Sequence, residues 1–271
     1  MLRLAKPAPE LKAFVRTYAQ LEVRTPDTVR TWPVPARSVP CLEFMLADPY
    51  VIRSVGSAPA EITNLATLVG AKTCQRIQLE STGRLESFAV FFQPTGLQRL
   101  FSLPGPVLVN EHYEADAVLG SCFAILRAEL GGASSLCRRV EIADRFFSRL
   151  TPSSDAMRGF DALVRAMILR QGCVRVQALA DDMGMSLRQF ERRFTSYVGI
   201  SPKIYARILR FEAAIYSKSI SSRSWTTVAH QLGYYDQAHM IHDFQSLSSE
   251  SPSQLTPHFE LLSAIGGERR K

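Results

Sequence analysis

Leu179-Ala180-Asp181-Asp182-Met183-Gly184-Met185-Ser186, followed by Phe190, Phe194 and Ser201-Pro202, returns later in the chain as Val228-Ala229-His230-Gln231-Leu232-Gly233-Tyr234-Tyr235-Asp236, followed by Met240, Phe244 and Ser251-Pro252. The offset is 49 residues up to the glycine and 50 beyond it, so the second copy carries one extra residue in its turn. A repeat of this size sets the architecture before any single element is assigned. Each copy reads as two short helices across a glycine turn. In the first, Val176, Leu179, Ala180 and Met183 recur at helical spacing, Gly184 stands where a left-handed C-terminal cap is wanted, and Ser186 caps the next helix. Ala180 and Ala229 are small enough for two helices to cross closely, as a helix-turn-helix requires.

On the second helix, Leu187, Phe190, Phe194 and Val198 line one face and leave Arg188, Gln189, Arg192 and Ser196 on another. An exposed, arginine-rich second helix is a groove-reading arrangement. Between the copies, Ser201 as N-cap and Pro202 at the first helical position open a long helix that runs to about Lys218. Its apolar positions Ile204, Ile208, Phe211 and Ile215 lie on one side, with Lys203, Arg207 and Arg210 about 100° around the axis, so it reads as a strut with one basic edge.

Charge supports a polyanionic partner and locates it. The formal charge is +7, and from Ser186 to Arg223 eight basic residues face only Glu191 and Glu212. From Ser224 to Gly267 there is no lysine or arginine, while Asp236, Asp243, Glu250 and Glu260 remain. The second copy is therefore expected to hold DNA less strongly than the first.

Two such units on a long helix, with the stretch Leu232 to Phe244 (LGYYDQAHMIHDF) and the closing Ser251-Pro252, resemble the AraC/XylS family of bacterial transcription regulators over about Gly172 to Phe259. The resemblance implies that both second helices enter successive major grooves on one face of double-stranded DNA, about one helical turn apart. Carried over by position, the base-facing residues are Arg188, Glu191 and Arg192 in the first unit and Gln237, Ala238 and His242 in the second. Ser186, Gln189, Arg193, Lys203, Arg207, Asp236 and His239 complete the expected DNA-binding set. Activation by contact with RNA polymerase is implied by the resemblance alone. Two positions depart from the family pattern: His242 stands where an arginine is usual, and Gln245 where a basic residue is usual, which weakens base reading by the second unit.

The preceding part is β-rich and then helical. Short runs at Val39 to Leu46, Tyr50 to Val55, Leu65 to Ala71, Arg76 to Leu79 and Glu86 to Phe92, punctuated by proline and glycine, predict a small sandwich or barrel. Helical patterns follow at Thr95 to Ser102, Ala115 to Leu130, Leu136 to Leu150 and Ser154 to Gln171. Phrases such as Cys41 to Leu46 and Phe88 to Leu97 are similar to a sensory domain found ahead of this DNA-binding region, which implies a small-molecule effector there. The helices from Ala115 onward either pack a core, the favoured reading, or form a homodimer surface. The expected fold is α+β: a sensory or dimerisation domain over 1–152, a helical connector over 153–173, an all-α double helix-turn-helix domain over 174–259 and a tail over 260–271.

Other functions find less support. With 46% hydrophobic and 21% charged residues in 271, the composition is that of a globular protein. Its longest apolar runs, such as Phe88 to Phe92, fall far short of the roughly 18 to 20 residues a membrane helix needs. The start MLRLAKPAPELKAF shows no apolar core of a signal peptide, so a cytoplasmic, nucleoid-associated protein is expected. Cys41, Cys74, Cys122, Cys137 and Cys173 are odd in number and widely scattered, without a CxxC, and read as reduced thiols. His239 and His242 are spaced i, i+3 but lack a third ligand at a closing spacing beyond Asp236 and Asp243, so no metal or other cofactor is expected. No catalytic set emerges. A cysteine nucleophile would need His112 and Cys122 to meet in space; the alternatives are a DNA-alkylation repair regulator with a reactive cysteine, against which the lack of clustered cysteines counts, and a DNA-architectural protein without an effector.

Overall fold

Phe88, Val90 and Phe92 face one side of an extended chain and Ala89 and Phe91 the other, the period of two that a strand buried on both faces requires. The computed structural model describes residues 1–54, 60–73, 77–152 and 157–255. Its strands are β1 (Leu2–Ala5), β2 (Val15–Val34), β3 (Cys41–Met45), β4 (Val51–Ser54), β5 (Glu61–Ile62), β6 (Ala66–Val69), β7 (Ile77–Phe92) and β8 (His112–Glu114). All pair antiparallel in one sheet of order β1-β2-β7-β3-β6-β8, with β4 against the first part of β7 and β5 against β4. β7 is the spine of the sheet: β2 pairs along its length, while β4 and then β3 take its other edge.

Three features correct the sequence expectations. Arg76 to Leu79 and Glu86 to Phe92 were expected as two strands, but from Ile77 onward they form one. The polar residues around Gly83 lie opposite a register shift between Thr25 and Arg30 of β2, and such a bulge absorbs a break without ending the pairing. β1 and most of β2 lie where no strand was expected. β1 covers only Tyr18 to Leu21, and beyond it β2 is an edge strand on which proline is tolerated. Ala115 to Leu130 is not one helix: α2 (Ala115–Leu119) ends at Gly120, whose φ is 98°, and α3 (Cys122–Gly132) starts anew; the short α1 (Gly96–Phe101) precedes both. Val55, Arg76 and Ser154 lie outside the described residues.

α1, α3 and α4 (Leu136–Ser148) cover the sheet face that carries Tyr18, Leu42, Phe44, Leu68, Phe88, Val90 and Phe92. A chain of rings, Phe92, Phe147, Phe146, Phe123 and Phe101, meets edge to face at 5.0–6.3 Å and fills the space between helices and sheet. Buried Arg139 of α4 donates to Glu86 of β7 at 2.8 Å, and the Tyr18 hydroxyl donates to Asp144 of α4 at 2.7 Å. The apolar faces of α3 and α4 thus form core, the favoured of the two readings.

The second core is all-helical: α5 (Arg158–Leu169), α6 (Val176–Asp182), α7 (Leu187–Val198), α8 (Pro202–Ile220), α9 (Trp225–Gln231), α10 (Gln237–Ser248) and α11 (Pro252–Leu255). Phe160 of α5 packs against Phe190, Phe194 and Tyr197 of α7, so the helix before the repeat completes the core of the first unit. α8 buries more than one stripe, because Tyr205, Ile208, Phe211 and Ile215 are joined inside by Ala206, Leu209, Glu212 and Ala214. Residues 256–271, which include the expected tail, lie outside the described residues.

The N-terminal domain touches the C-terminal ends of both second helices. After β2 the chain passes over the helical domain: the Ala36 N–H donates to the Leu247 carbonyl of α10 at 2.8 Å, and the Ser38 N–H and hydroxyl donate to the Glu212 carboxylate of α8, each at 2.8 Å. At the other unit, Gly105 and Gly199 bring two backbones so close that a Cβ on Gly105 would sit 2.4 Å from the Gly199 nitrogen. Thr95 and Arg99 of the α1 region bond Asp161 of α5.

Candidate nucleic-acid interface

Both units turn in the same way. After α6, the Met185 N–H bonds the Ala180 carbonyl and the Gly184 N–H bonds that of Asp181; after α9, Tyr234 and Gly233 do the same to Ala229 and His230. This paired C-terminal motif needs a left-handed residue, supplied by Gly184 at φ 63° and Gly233 at φ 69°. Ala180 and Ala229 are fully buried at the crossings. The second turn is one residue longer, as the offset of the repeat requires, and Tyr235 in it is 88% exposed.

The helices that follow are capped by their own side chains. The Ser186 hydroxyl accepts from the Gln189 N–H at 3.3 Å, and the Ser186 N–H donates to the Gln189 side-chain oxygen at 3.1 Å, a reciprocal box that occupies both residues. In α10, Asp236 accepts from the His239 N–H at 2.7 Å. Asp236 therefore serves the helix as its N-cap, with its charge at the positive end of the dipole.

The outward face of α7 carries Arg188, Glu191, Arg192 and Arg193. Arg193 lies 5.7 Å from the Tyr197 ring, whereas Arg188 and Arg192, one turn apart, are held by no ion pair among the described residues. Like charges at this spacing repel slightly on the free helix, and an anion between them relieves that repulsion. On α10, Gln237 accepts from the Thr226 hydroxyl at 2.9 Å, Ala238 and His242 are exposed, and His239 meets the Tyr234 ring edge-on at 5.3 Å.

The strut holds the main correction to the charge count. Arg207 gives two bonds to Asp243 Oδ1, at 3.1 Å from Nε and 2.7 Å from Nη2, and a third to Ser246. Asp243 is 2% exposed, so it does not oppose the charge of a DNA backbone; Arg207 neutralises it inside the domain. Arg210 donates to the Gly172 carbonyl and lies 5.5 Å over the Tyr234 ring, and Lys218 donates to the Arg223 carbonyl. Of the expected basic edge, Lys203 stays exposed. The repeat revealed the caps and the exposed face, but nothing local marked Asp243 as a buried partner of Arg207, since 36 residues separate them.

Among the described residues the cysteines are not brought together. Cys41 is buried in β3, where burial pushes its thiol up, Cys122 and Cys137 lie on α3 and α4, and the Cys173 thiol donates to the Leu232 carbonyl. His112 sits 3.2 Å from Glu61 rather than beside Cys122. Cys74 lies outside the described residues. Among those residues no three His, Cys, Asp or Glu side chains cluster as a metal site, and no helix is long and apolar enough to cross a membrane.

Comparison with known proteins agrees with this geometry. Residues 179–257 match the family model described as a helix-turn-helix domain, and residues 3–114 match a domain of unknown function, DUF6597. The transcriptional activator RhaS of Pectobacterium atrosepticum is 32% identical over 77 residues, 28% of each chain, so the chain spans little more than a quarter of that relative's length. In overall fold the protein is similar to ToxT from Vibrio cholerae in its P21 crystal form, with a TM-score of 0.50 and 13% identity over 91% of this chain and 99% of that one. It is equally similar to wild-type ToxT of strain SCE256 with an unsaturated fatty acid bound, with a TM-score of 0.50 and 14% identity over 92% and 96% of the two chains.

Proposed function

We propose that this chain, whose C-terminal domain is of the AraC helix-turn-helix type, is a sequence-specific DNA-binding transcription regulator. The observation that carries the proposal is the pair of exposed, N-capped helices α7 and α10, each following the same glycine-capped helix end and joined by the common strut α8. Arg188, Glu191 and Arg192 read bases in one major groove, and Gln237, Ala238 and His242 in the next. Arg193 and Lys203 engage phosphate. Ser186, Gln189 and Asp236 act through the caps that aim the helices and offer their N-terminal amides to the backbone. We infer an activator, as the description of its RhaS relative suggests, and that it acts by contact with RNA polymerase. The N-terminal domain is the seat of a small-molecule effector and of homodimer contacts, the protein works in the cytoplasm on the nucleoid, and it needs neither catalysis nor a cofactor.

Selection of duplexes from a random library by the full-length protein, followed by footprinting, tests the proposal. Two short preferred blocks about one helical turn, roughly 10 base pairs, apart are expected. Equal affinity for selected and scrambled duplexes would instead leave an architectural protein.

A further inference from the structure

A cleft of about 510 Å³ opens between the two units, walled by α8, α10 and the segment that leads into α6. Its polar lining is Lys203, Arg207 and Arg210 from the strut with His239, His242 and Asp243 from α10. The second unit has no lysine or arginine of its own beyond Ser224, and this wall is where it meets three cations belonging to the strut. The one carboxylate in the lining is already matched by Arg207 at 2.7 Å. Lys203 is exposed without an ion pair among the described residues, and the Arg207 bonds leave from Nε and Nη2, so its Nη1 amino group stays available. The cleft therefore carries a net positive charge, in the concave and partly desolvated setting that strengthens attraction to an anion.

From this lining we propose that the cleft is a phosphate seat, filled by a backbone phosphate of the DNA strand that passes between the two grooves. The inference rests on the DNA-binding reading and adds to it where the duplex is gripped. Helices that read successive major grooves from one face must straddle the minor groove between them, and the backbones bordering that groove run past whatever joins the helices. Here the joining element is α8, with Lys203 at its start beside the end of α7 and His242 facing it from α10. A tetrahedral phosphodiester group presents its two free oxygens to Lys203 and to Arg207 Nη1 as charge-assisted hydrogen bonds. The volume, within the range of small-ligand sites, exceeds that of a bare phosphate and leaves room for the flanking sugars. The second unit thus holds its half of the duplex through charge lent by the strut.

The test places single neutral methylphosphonate linkages, one at a time, along both strands between the two blocks of a selected duplex, with full-length wild-type protein and the Lys203→Met variant. One or two adjacent positions are expected to weaken wild-type binding about tenfold, and Lys203→Met to weaken binding to the unmodified duplex by a similar factor. On the duplex modified at the responsive position the variant should lose almost nothing more, and its salt slope should fall by about one unit. Lys203 is exposed, so an unchanged melting temperature is expected and separates grip from folding. Additive losses, or no responsive position between the blocks, would overturn the seat while the regulator reading stands. Inorganic phosphate titrated against DNA-free protein, followed through the imidazole signals of His239 and His242, separates the sources. Saturation at micromolar phosphate that releases the duplex would assign the cleft to a free phosphorylated ligand and overturn the backbone assignment. If no duplex is selected at all, the regulator reading fails and the backbone seat with it.

Discussion

Arg188 and Arg207 are both arginines on exposed-looking helices, and their surroundings give them different work. Arg188, like Arg192, is uncommitted on the outer face of α7, so under the proposed reading its loss should remove contacts to DNA and leave the domain intact. Arg188→Ala or Arg192→Ala is expected to cost roughly 1 to 3 kcal/mol of specific binding with no change in melting temperature; unchanged affinity and footprint in both variants would remove α7 from the interface. Arg207 instead neutralises a carboxylate that is 2% exposed. Truncating one partner of such a pair leaves a buried charge and costs on the order of 3 to 5 kcal/mol. Arg207→Ala should therefore lower thermal stability first and DNA binding with it. An Arg207→Ala protein that melts like wild type would show the pair to be dispensable.

Each unit depends on an aromatic anchor beneath its recognition helix, and the rings do more than fill space. Phe194 meets Phe160, Phe190 and Tyr205, joining α7 to the preceding helix α5 and to the strut, while Phe244 meets Phe211 of the strut and Trp225. Removing a buried phenylalanine deletes its transfer energy and leaves a cavity, so Phe194→Ala should destabilise the protein by about 3 to 5 kcal/mol in chemical denaturation. A loss below about 1 kcal/mol would mean that the site collapses without penalty. The same two elements differ in what they can read. α7 offers two arginines, each able to pair bidentately with guanine, whereas α10 offers Gln237, Ala238 and His242. Scrambling the base block under α7 should weaken binding more than scrambling the block under α10, and equal losses would refute this asymmetry. Phosphate grip is shared through the strut, so the asymmetry belongs to base reading.

At the scale of the whole molecule, the contacts between domains fall on the helices proposed to aim at DNA. Ala36 bonds the end of α10, Gly105 abuts the end of α7, and Ser38 bonds Glu212 at the middle of α8. Any shift of the loop after β2 is thereby passed to α10 and the strut, and a shift at Gly105 to the end of α7. Glu212 makes this contact pH-dependent. Burial pushes its carboxyl above the ordinary range, against the pull of Arg16, the Ser38 hydrogen bonds and Arg37. A carboxyl raised on folding contributes stability that is fully present below its unfolded pKa and is lost as pH rises through the folded value. Wild type should accordingly lose stability relative to Glu212→Gln as pH rises above the ordinary carboxyl range, because the amide keeps an acceptor for Ser38 without a buried charge. A melting-temperature difference that stays constant over that range would refute the linkage.

The sequence by itself determined the repeat, the two glycine turns, the caps at Ser186 and Ser201, the apolar face of α7 and the long strut, because each rests on residues within a turn or two of one another. It also located the exposed arginines, since amphipathic spacing assigns a face without knowledge of the partner. It read the β-domain less well. It predicted no strand over β2 and split β7 around Gly83, and only pairing across 43 to 77 positions shows that both run continuously. Tertiary structure alone decided which charges remain available. Arg207 and Asp243, 36 residues apart, cancel one another, and Glu212, on the buried side of α8 between Ile208 and Ile215, finds Ser38 from the other domain. The carboxylate on that apolar stripe was the one local sign. Its partner was out of reach because electrostatic pairing depends on distance in space, and the chain supplies only distance along itself.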